Sequence, residues 1–402
     1  MTNRTIGLDA LALAVPESFV ELAELANARG VSPSKYVDGL GVRRMAVARP
    51  HEDPVALAAN AARRLFATAE VDPDSVGLVV VGTETAVDHS KPIAAYLHGL
   101  LRLPSRCRVY EAKHACFGGT AGLLTAVDWI ASGSARGRSA LGVCTDIARY
   151  ALGSAGEPTQ GAGAVAMLVT ESPRLLALEP GVSGSYARDV ADFWRPLYRK
   201  DAVVDGHLSV QCYLDALAGA FADWSSACRE AGLDPDAIAR RCYHVPYGKM
   251  ARKAHTHLES LRGKSEAEAD ESFARDVAPS LRFPAEVGNV YTGSLYLALA
   301  SLLDAEAGRL EGERIGLFSY GSGCCAEYFA ARVLPGAGAL TERLALGAPL
   351  AERTALSIAE YEAIRRADKE ADRRPVADDA PDAARAAFSF AGVEADRRVY
   401  RS

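Results

Sequence analysis

Short continuous apolar runs alternate along this chain with stretches where apolar residues return every three or four positions. Val76 to Gly82 (Val-Gly-Leu-Val-Val-Val-Gly) is one such run, the pattern of a strand buried on both faces. Residues 54–70 carry the helical spacing, with Pro54 placed where a first turn tolerates proline. The same reading predicts a helix over Lys91–Leu101, a strand at Arg108–Glu111 and a long apolar helix over Phe117–Ser132. It adds strands at Ser139–Cys144 and Ala164–Thr170. Beyond a boundary near Glu171–Pro180 the alternation resumes. Helices are expected at Leu208–Glu230 and Thr292–Glu306, and strands at Arg241–His244 and Arg314–Tyr320. The prediction is an α/β chain in two halves, 1–172 and 173–402, with polar, glycine-bearing loops at strand ends, where open α/β sheets keep their chemistry. Residues 364–385 are dense in charge and alanine, and read as an exposed helix end or a surface loop.

Bulk properties narrow the functions on offer. The 402 residues exceed one simple core and suit two lobes. A net charge of −6 offers no polycation for nucleic acid or anionic lipid, so a phosphate-bearing partner needs a local basic patch. Met1–Gly7 lacks the basic-then-apolar order of a secretory signal, and no apolar run reaches the length of a membrane span. The Asn3-Arg4-Thr5 sequon therefore carries no expectation of glycosylation. Eight cysteines show no paired metal spacing, and Cys324 adjoins Cys325. These features predict reduced thiols in a cytoplasmic protein, with one or two of them chemically special.

Cys116 stands between a predicted strand and a predicted helix, in Lys-His-Ala-Cys-Phe-Gly-Gly. A helix N-terminus aimed at the sulfur stabilises thiolate, so a depressed thiol pKa and a nucleophile are expected; a buried structural cysteine fits the context about as well. Glu84 ends a buried strand, where burial raises a carboxyl pKa toward neutrality and suits a general base; a helix cap or surface acid is the alternative. His244, behind a strand and before Pro246, can donate to a carbonyl oxygen or serve structure alone. Asn289 reads as an orienter of substrate, and Gly321-Ser322-Gly323-Cys324-Cys325 as a tight turn able to line a thioester pocket. Arg240, Arg241, Lys249, Arg252 and Lys253 form the densest basic cluster, fit to grip phosphate or merely to coat a helix. Gly161-Ala162-Gly163 mimics a dinucleotide fingerprint but runs into a strand, and is rejected.

Taken together the motifs resemble the hydroxymethylglutaryl-CoA synthase family. The carriers are Gly-Thr-Glu-Thr-Ala-Val-Asp-His-Ser-Lys (82–91), Lys-His-Ala-Cys-Phe-Gly-Gly (113–119), Thr-Asp-Ile-Ala-Arg-Tyr (145–150) and Gly-Glu-Pro-Thr-Gln-Gly-Ala-Gly-Ala-Val-Ala-Met (156–167). Asp-Phe-Trp-Arg-Pro (192–196), His-Val-Pro-Tyr-Gly-Lys-Met (244–250), Val-Gly-Asn-Val-Tyr-Thr-Gly-Ser-Leu-Tyr (287–296) and Gly-Leu-Phe-Ser-Tyr-Gly-Ser-Gly (316–323) follow in order. The resemblance implies a thiolase-type five-layered αβαβα fold, a homodimer, and no metal or redox cofactor. It implies Cys116 as acetyl carrier, Glu84 as the base that deprotonates the acetyl methyl, and His244 as binder of a β-ketoacyl thioester. Tyr150, Asn289, Ser322 and Lys249 would line the substrate site, with Arg252 and Lys253 touching a carrier protein or a phosphate. The stretch Tyr96–Cys107, the Gly-Ser-Gly-Cys-Cys turn and the Arg-Arg-Val-Tyr-Arg-Ser ending are similar to the branch that installs β-branches on polyketides. That branch implies acyl carrier proteins as partners, and a carrier-bound acetyl donor is the expectation drawn from it; the mevalonate-pathway branch, to which Gly-Glu-Pro-Thr-Gln-Gly-Ala-Gly and Tyr-Thr-Gly-Ser-Leu-Tyr are equally similar, is the alternative and implies CoA thioesters. A ketoacyl synthase or thiolase would not call for Glu84, and a non-catalytic relative would not be expected to keep all three groups.

Overall fold

The computed structural model describes residues 5–199, 201–367 and 386–402. Nine strands form the main sheet: β1 (Ile6–Ala14), β2 (Val76–Gly82), β3 (Arg108–Ala112), β4 (Ser139–Ala148), β5 (Gly161–Glu171), β6 (Leu176–Ala187), β7 (Arg240–Tyr243), β8 (Arg314–Gly321) and β9 (Cys325–Val333). Their spatial order is β7-β8-β9-β6-β1-β5-β4-β2-β3. Every residue of β2 and β4 is buried, as continuous apolar runs require when both faces are covered.

The pairing repeats itself across the sheet. β2 lies parallel to β4, which turns back antiparallel into β5, and β5 pairs antiparallel with β1. On the other side β7 lies parallel to β8, which turns back into β9, and β9 pairs antiparallel with β6. The two series join where Gly7 and Leu8 of β1 meet Ala177 and Leu176 of β6. A Cβ on Gly7 would lie 2.0 Å from the Leu176 carbonyl oxygen, so this joint requires glycine.

Five helices complete the layers: α1 (Pro54–Ala69), α2 (Gly118–Ala131), α3 (Gly206–Glu230), α4 (Gly248–Leu261) and α5 (Ser294–Glu306). α1 covers one face of β1, β4 and β5, and α3 covers β6 and β9. α2 packs on β2, β4 and β5, and α5 on β7, β8 and β1. The two inner helices are linked where the Thr120 and Tyr296 hydroxyls meet at 2.7 Å. All residues of α5 from Ser294 to Leu303 are buried, which fits a helix enclosed in a middle layer. Local chemistry starts α1 where the sequence places it. Asp53 caps the helix by accepting from the Ala56 N–H at 2.7 Å, and Pro54 follows at the first turn. The other Asp53 oxygen accepts from Arg398 and Tyr400 of the C-terminal hairpin, Ser389–Glu394 with Arg397–Arg401.

The expected elements are present with ends shifted by a few residues. The helix expected at Lys91–Leu101 spans Ile93–Leu100, because Lys91 and Ser90 donate their N–H groups to Asp88 in the preceding turn. Of the charged tail, residues up to Ala367 belong to a helix that begins at Ile358, and 368–385 lie outside the described residues. Among the described residues no helix is long and apolar enough to cross a membrane.

Candidate active site

Glu84 lies two residues beyond β2, and Cys116 two residues before α2. Their elements touch backbone to backbone: a Cβ on Gly82 would sit 2.4 Å from the Gly118 carbonyl carbon and the Gly119 nitrogen. The strand carrying the carboxylate therefore lies flush against the helix carrying the thiol. As a result the Cys116 Sγ donates to Glu84 Oε1 at 2.9 Å. Ala115, just ahead of the thiol, is held at φ +40°, the left-handed region that a residue with a side chain rarely adopts.

Two carboxylates unnamed among the sequence candidates organise this pair. Asp146, fully buried at the end of β4, accepts from the Glu84 N–H at 2.8 Å and the Thr85 hydroxyl at 2.8 Å through Oδ1. Its Oδ2 accepts from the Thr292 N–H at 3.0 Å and hydroxyl at 2.5 Å. A buried carboxylate inside an apolar strand needs such partners, and Asp146 thereby ties the base loop to the segment entering α5. The second is Asp192, also fully buried, which accepts from the Tyr320 hydroxyl at 2.7 Å and the Gly323 N–H at 3.0 Å. Three residues on, the Arg195 guanidinium donates to the Glu84 carbonyl oxygen. An aspartate in the middle of the apolar stretch Val-Cys-Thr-Asp-Ile-Ala is the signal in the sequence that pointed to Asp146.

Electrostatics support one sequence expectation and overturn another. Burial, reinforced by Asp146, raises the Glu84 carboxyl to about 7. The Cys116 thiol goes up as well, well above its ordinary value, whereas a depressed pKa was expected. Burial leads, followed by the charge of Glu84 and its hydrogen bond, then Asp146 and Asp192. Burial, with these carboxylates around it, keeps the resting group a neutral thiol whose proton points to Glu84.

His244, 4% exposed, lies one residue past β7, and its N–H donates to the Phe318 carbonyl at 2.8 Å. Burial lowers its imidazole to about 3, which keeps the ring neutral at physiological pH. The Tyr213 hydroxyl donates to the His244 carbonyl at 2.8 Å, and the Tyr213 ring stands 5.1 Å from that of Tyr320, the partner of Asp192. Tyr213 thus connects the histidine to the polar groups beside the thiol.

The remaining candidates separate into two groups. Gly321, next to Ser322, packs on the nucleophile loop; a Cβ there would lie 2.6 Å from the Phe117 nitrogen. Asn289, 3% exposed, uses its Oδ1 to accept from the Tyr291 N–H at 2.8 Å and the Ser294 hydroxyl at 2.9 Å, so its carbonyl end is committed to the turn before α5. Tyr150 is half-buried with its ring 6.3 Å from Phe193, and its phenol is raised first by burial and next by Cys116. Tyr150 and the backbone beside Ser322 thus lie near the nucleophile loop, while Asn289 supports the turn that Thr292 ties to Asp146.

The basic cluster does not assemble. Arg240 bonds Glu306 at 2.7 Å and faces Asp276, while Arg241 is 3% exposed beside Glu259. Arg252 pairs with Asp270 at 2.5 Å and stacks on Phe273. Strand residues point alternately to opposite faces, so adjacency in sequence did not become a common surface. Lys249 and Lys253 remain exposed on α4, with Lys249 in its first turn, five residues beyond His244.

Comparison with known proteins agrees with this geometry. The family model for the hydroxymethylglutaryl-coenzyme A synthase N terminal region matches residues 2–173, and that for the C terminal region matches 176–268 and 259–374. A hydroxymethylglutaryl-CoA synthase of Enterococcus faecalis is 41% identical, covering 90% of this chain and 91% of its own. The polyketide biosynthesis 3-hydroxy-3-methylglutaryl-ACP synthase PksG of Bacillus subtilis (strain 168) is 34% identical over 89% and 87%. Among solved structures, MvaS in complex with 3-hydroxy-3-methylglutaryl coenzyme A superposes with a TM-score of 0.93 at 48% identity over 100% of both chains. The curacin pathway HMG synthase in complex with holo donor-ACP gives 0.92 at 32% over 99% of both. With its thiolase-type fold, its paired carboxyl and thiol, and matches along nearly its whole length, the chain belongs to the hydroxymethylglutaryl-CoA synthase family of condensing acyltransferases.

Proposed function

We propose that this enzyme joins an acetyl group held on Cys116 to the β-ketone of a β-ketoacyl-CoA, and that the 2.9 Å contact between Cys116 Sγ and Glu84 Oε1 carries both half-reactions. In the first, the thiol proton passes to Glu84 while sulfur attacks the acetyl thioester, and the departing CoA thiolate takes that proton. In the second, Glu84 removes a proton from the acetyl methyl, which its place in a thioester makes acidic. The carbanion attacks the ketone carbon of the acceptor; the carbonyl π pair moves to its oxygen, which accepts a hydrogen bond from the neutral His244 imidazole and takes up the proton held by Glu84. Water then cleaves the Cys116 thioester. Acidic and nucleophilic groups supply every step, so the scheme calls on no metal or redox group.

The choice of CoA over a carrier protein rests on two supports. Identity is 41% to the Enterococcus faecalis hydroxymethylglutaryl-CoA synthase and 48% to MvaS solved with 3-hydroxy-3-methylglutaryl coenzyme A, against 34% to PksG and 32% to the curacin enzyme. The basic cluster, a candidate contact for a carrier protein or a phosphate, is also largely neutralised by Glu306, Asp276, Glu259 and Asp270, which leaves an acidic carrier little positive surface to dock on. The carrier-bound reading, with a role in polyketide β-branching, draws on the full-length likeness to PksG and the curacin enzyme and on exposed Lys249 and Lys253. A homodimer is proposed with its seam along β3, an edge strand with no outer neighbour among the described residues.

Intact-protein mass after mixing with acetyl-CoA or an acetyl-carrier protein, at two ionic strengths, tests this reading. We expect acetylation of Cys116 from acetyl-CoA and none in Cys116→Ala. Faster loading from the carrier, lost as the Debye length shrinks from about 10 Å at 0.1 M to about 3 Å at 1 M salt, would favour the carrier-bound reading.

A further inference from the structure

Tyr150 lies two residues past β4, in neither strand nor helix, and both of its main-chain polar groups are bonded to side chains. Its N–H donates to Gln160 Oε1 at 2.8 Å, and its carbonyl oxygen accepts from the Arg365 guanidinium at 3.0 Å. A Cβ on Gly156 would lie 2.7 Å from the Tyr150 ring, so the loop folds closely around it. Residues 151–156 are exposed or half-exposed, which leaves hydrogen bonds rather than core packing to hold this loop.

Those bonds lead to one distant element. Arg365 belongs to the helix Ile358–Ala367, 215 residues along the chain. From the same helix the Tyr361 hydroxyl accepts from Gln160 Nε2 at 2.8 Å, which turns the amide oxygen toward the Tyr150 N–H. That hydroxyl donates to Glu157 Oε1 at 3.1 Å, and Arg29 donates to the two oxygens of Glu157 at 2.8 and 2.7 Å. Arg29 also bonds Glu362 of the helix at 2.7 Å. Glu157 and Tyr361 are each 1% exposed, so water does not compete for these bonds. The helix thus grips the loop at both ends.

Tyr150 in turn stands between two segments that touch Glu84. Just upstream, Asp146 accepts from the Glu84 N–H at 2.8 Å, and the Ile147 N–H donates to the Thr85 hydroxyl at 3.2 Å. Across from the ring, 6.3 Å away, is Phe193, in the segment whose Arg195 donates to the Glu84 carbonyl oxygen. We infer that Arg365 is a positioning residue for the condensing reaction. It fixes the main chain of Tyr150, and with it the place of the ring beside the acyl site, without touching a reacting atom. The inference rests on the proposed acetylation of Cys116 and on Tyr150 as part of the substrate site.

A double-mutant cycle on the full chain tests it, with the rate of Cys116 acetylation from acetyl-CoA followed by time-resolved intact mass in wild type, Arg365→Ala, Tyr150→Ala and the pair. Arg365→Ala is expected to lower the saturating rate about 10-fold, within the roughly 10²-fold that a misplacement of about 1 Å can cost. In the Tyr150→Ala background the same change should cost nothing further, because there is no ring left to misplace. Losses that multiply in the pair would overturn the inference, and so would a saturating rate in Arg365→Ala equal to wild type. The final extent of acetylation separates a slower site from a smaller folded fraction; reduced extent at an unchanged rate constant would assign Arg365 to stability alone and overturn it too. The underlying reading fails separately. A wild-type rate in Tyr150→Ala would remove Tyr150 from the site, and no acetylation of wild-type Cys116 would remove the reaction itself.

Discussion

Glu84 and His244 occupy corresponding places in the two series of strands. Each follows a short strand lying parallel to the first arm of an antiparallel hairpin, β2 beside β4 and β7 beside β8. Burial acts on both, with opposite results. It raises the carboxyl to about 7, reinforced by Asp146, and lowers the imidazole to about 3. Desolvation disfavours whichever form is charged, so one kind of slot yields a proton acceptor near neutrality from an acid and a permanently neutral hydrogen-bonding ring from a base. The proposed division between donor and acceptor half-sites then follows from residue type.

Three measurements can break this contrast. The largest effect is expected from Glu84→Gln. Condensation should fall about 10²–10⁴-fold, the range for a lost general base, with acetyl loading of Cys116 slowed by less. Equal losses in both half-reactions would make Glu84 chiefly the base for the thiol. His244→Ala should leave loading intact and raise the concentration of β-ketoacyl thioester needed to discharge acetyl-Cys116. A loading defect of the same size would move the histidine into the thiol-activating group.

The smallest effect concerns stability, and its sign differs between the slots. From pH 4.5 to about 7 the folded Glu84 retains a proton that the unfolded chain has released, so its stabilising contribution is lost as pH rises through that window. Between about 3 and 6.5 the unfolded His244 binds a proton that the folded chain lacks, so its contribution grows with pH. Urea midpoints of Glu84→Gln and His244→Gln, each compared with wild type across pH 3–8, should therefore diverge in opposite directions. Parallel shifts would show that the two environments are not opposed.

Much of the sheet was legible because burial on both faces leaves its mark in the residues themselves. Val76–Gly82 reads as a strand with no knowledge of its neighbours. β1 is different: Asp9 interrupts Ile-Gly-Leu-Asp-Ala-Leu, and only the fold supplies the Arg174 guanidinium that neutralises it. β6 and β9 mix polar with apolar residues and were likewise not expected. Cys116, Glu84 and His244 stood out through motif and strand-end position, whereas Asp192 and Tyr320 acquire meaning only through each other across 128 residues. The misread basic cluster failed for the same reason, since charge density along a chain does not reveal which acids will face it.

The flush contact of Gly82 on Gly118 and Gly119 has a consequence for how this enzyme can change over generations. Because main chain meets main chain there, the spacing of thiol and carboxyl is insulated from the gradual exchange of larger for smaller side chains through which cores drift. Variation is free to accumulate in loops away from this contact, while the geometry of the proposed acetyl-loading step stays on a fixed gauge. Diversity of product can thus be inherited without putting the nucleophile at risk.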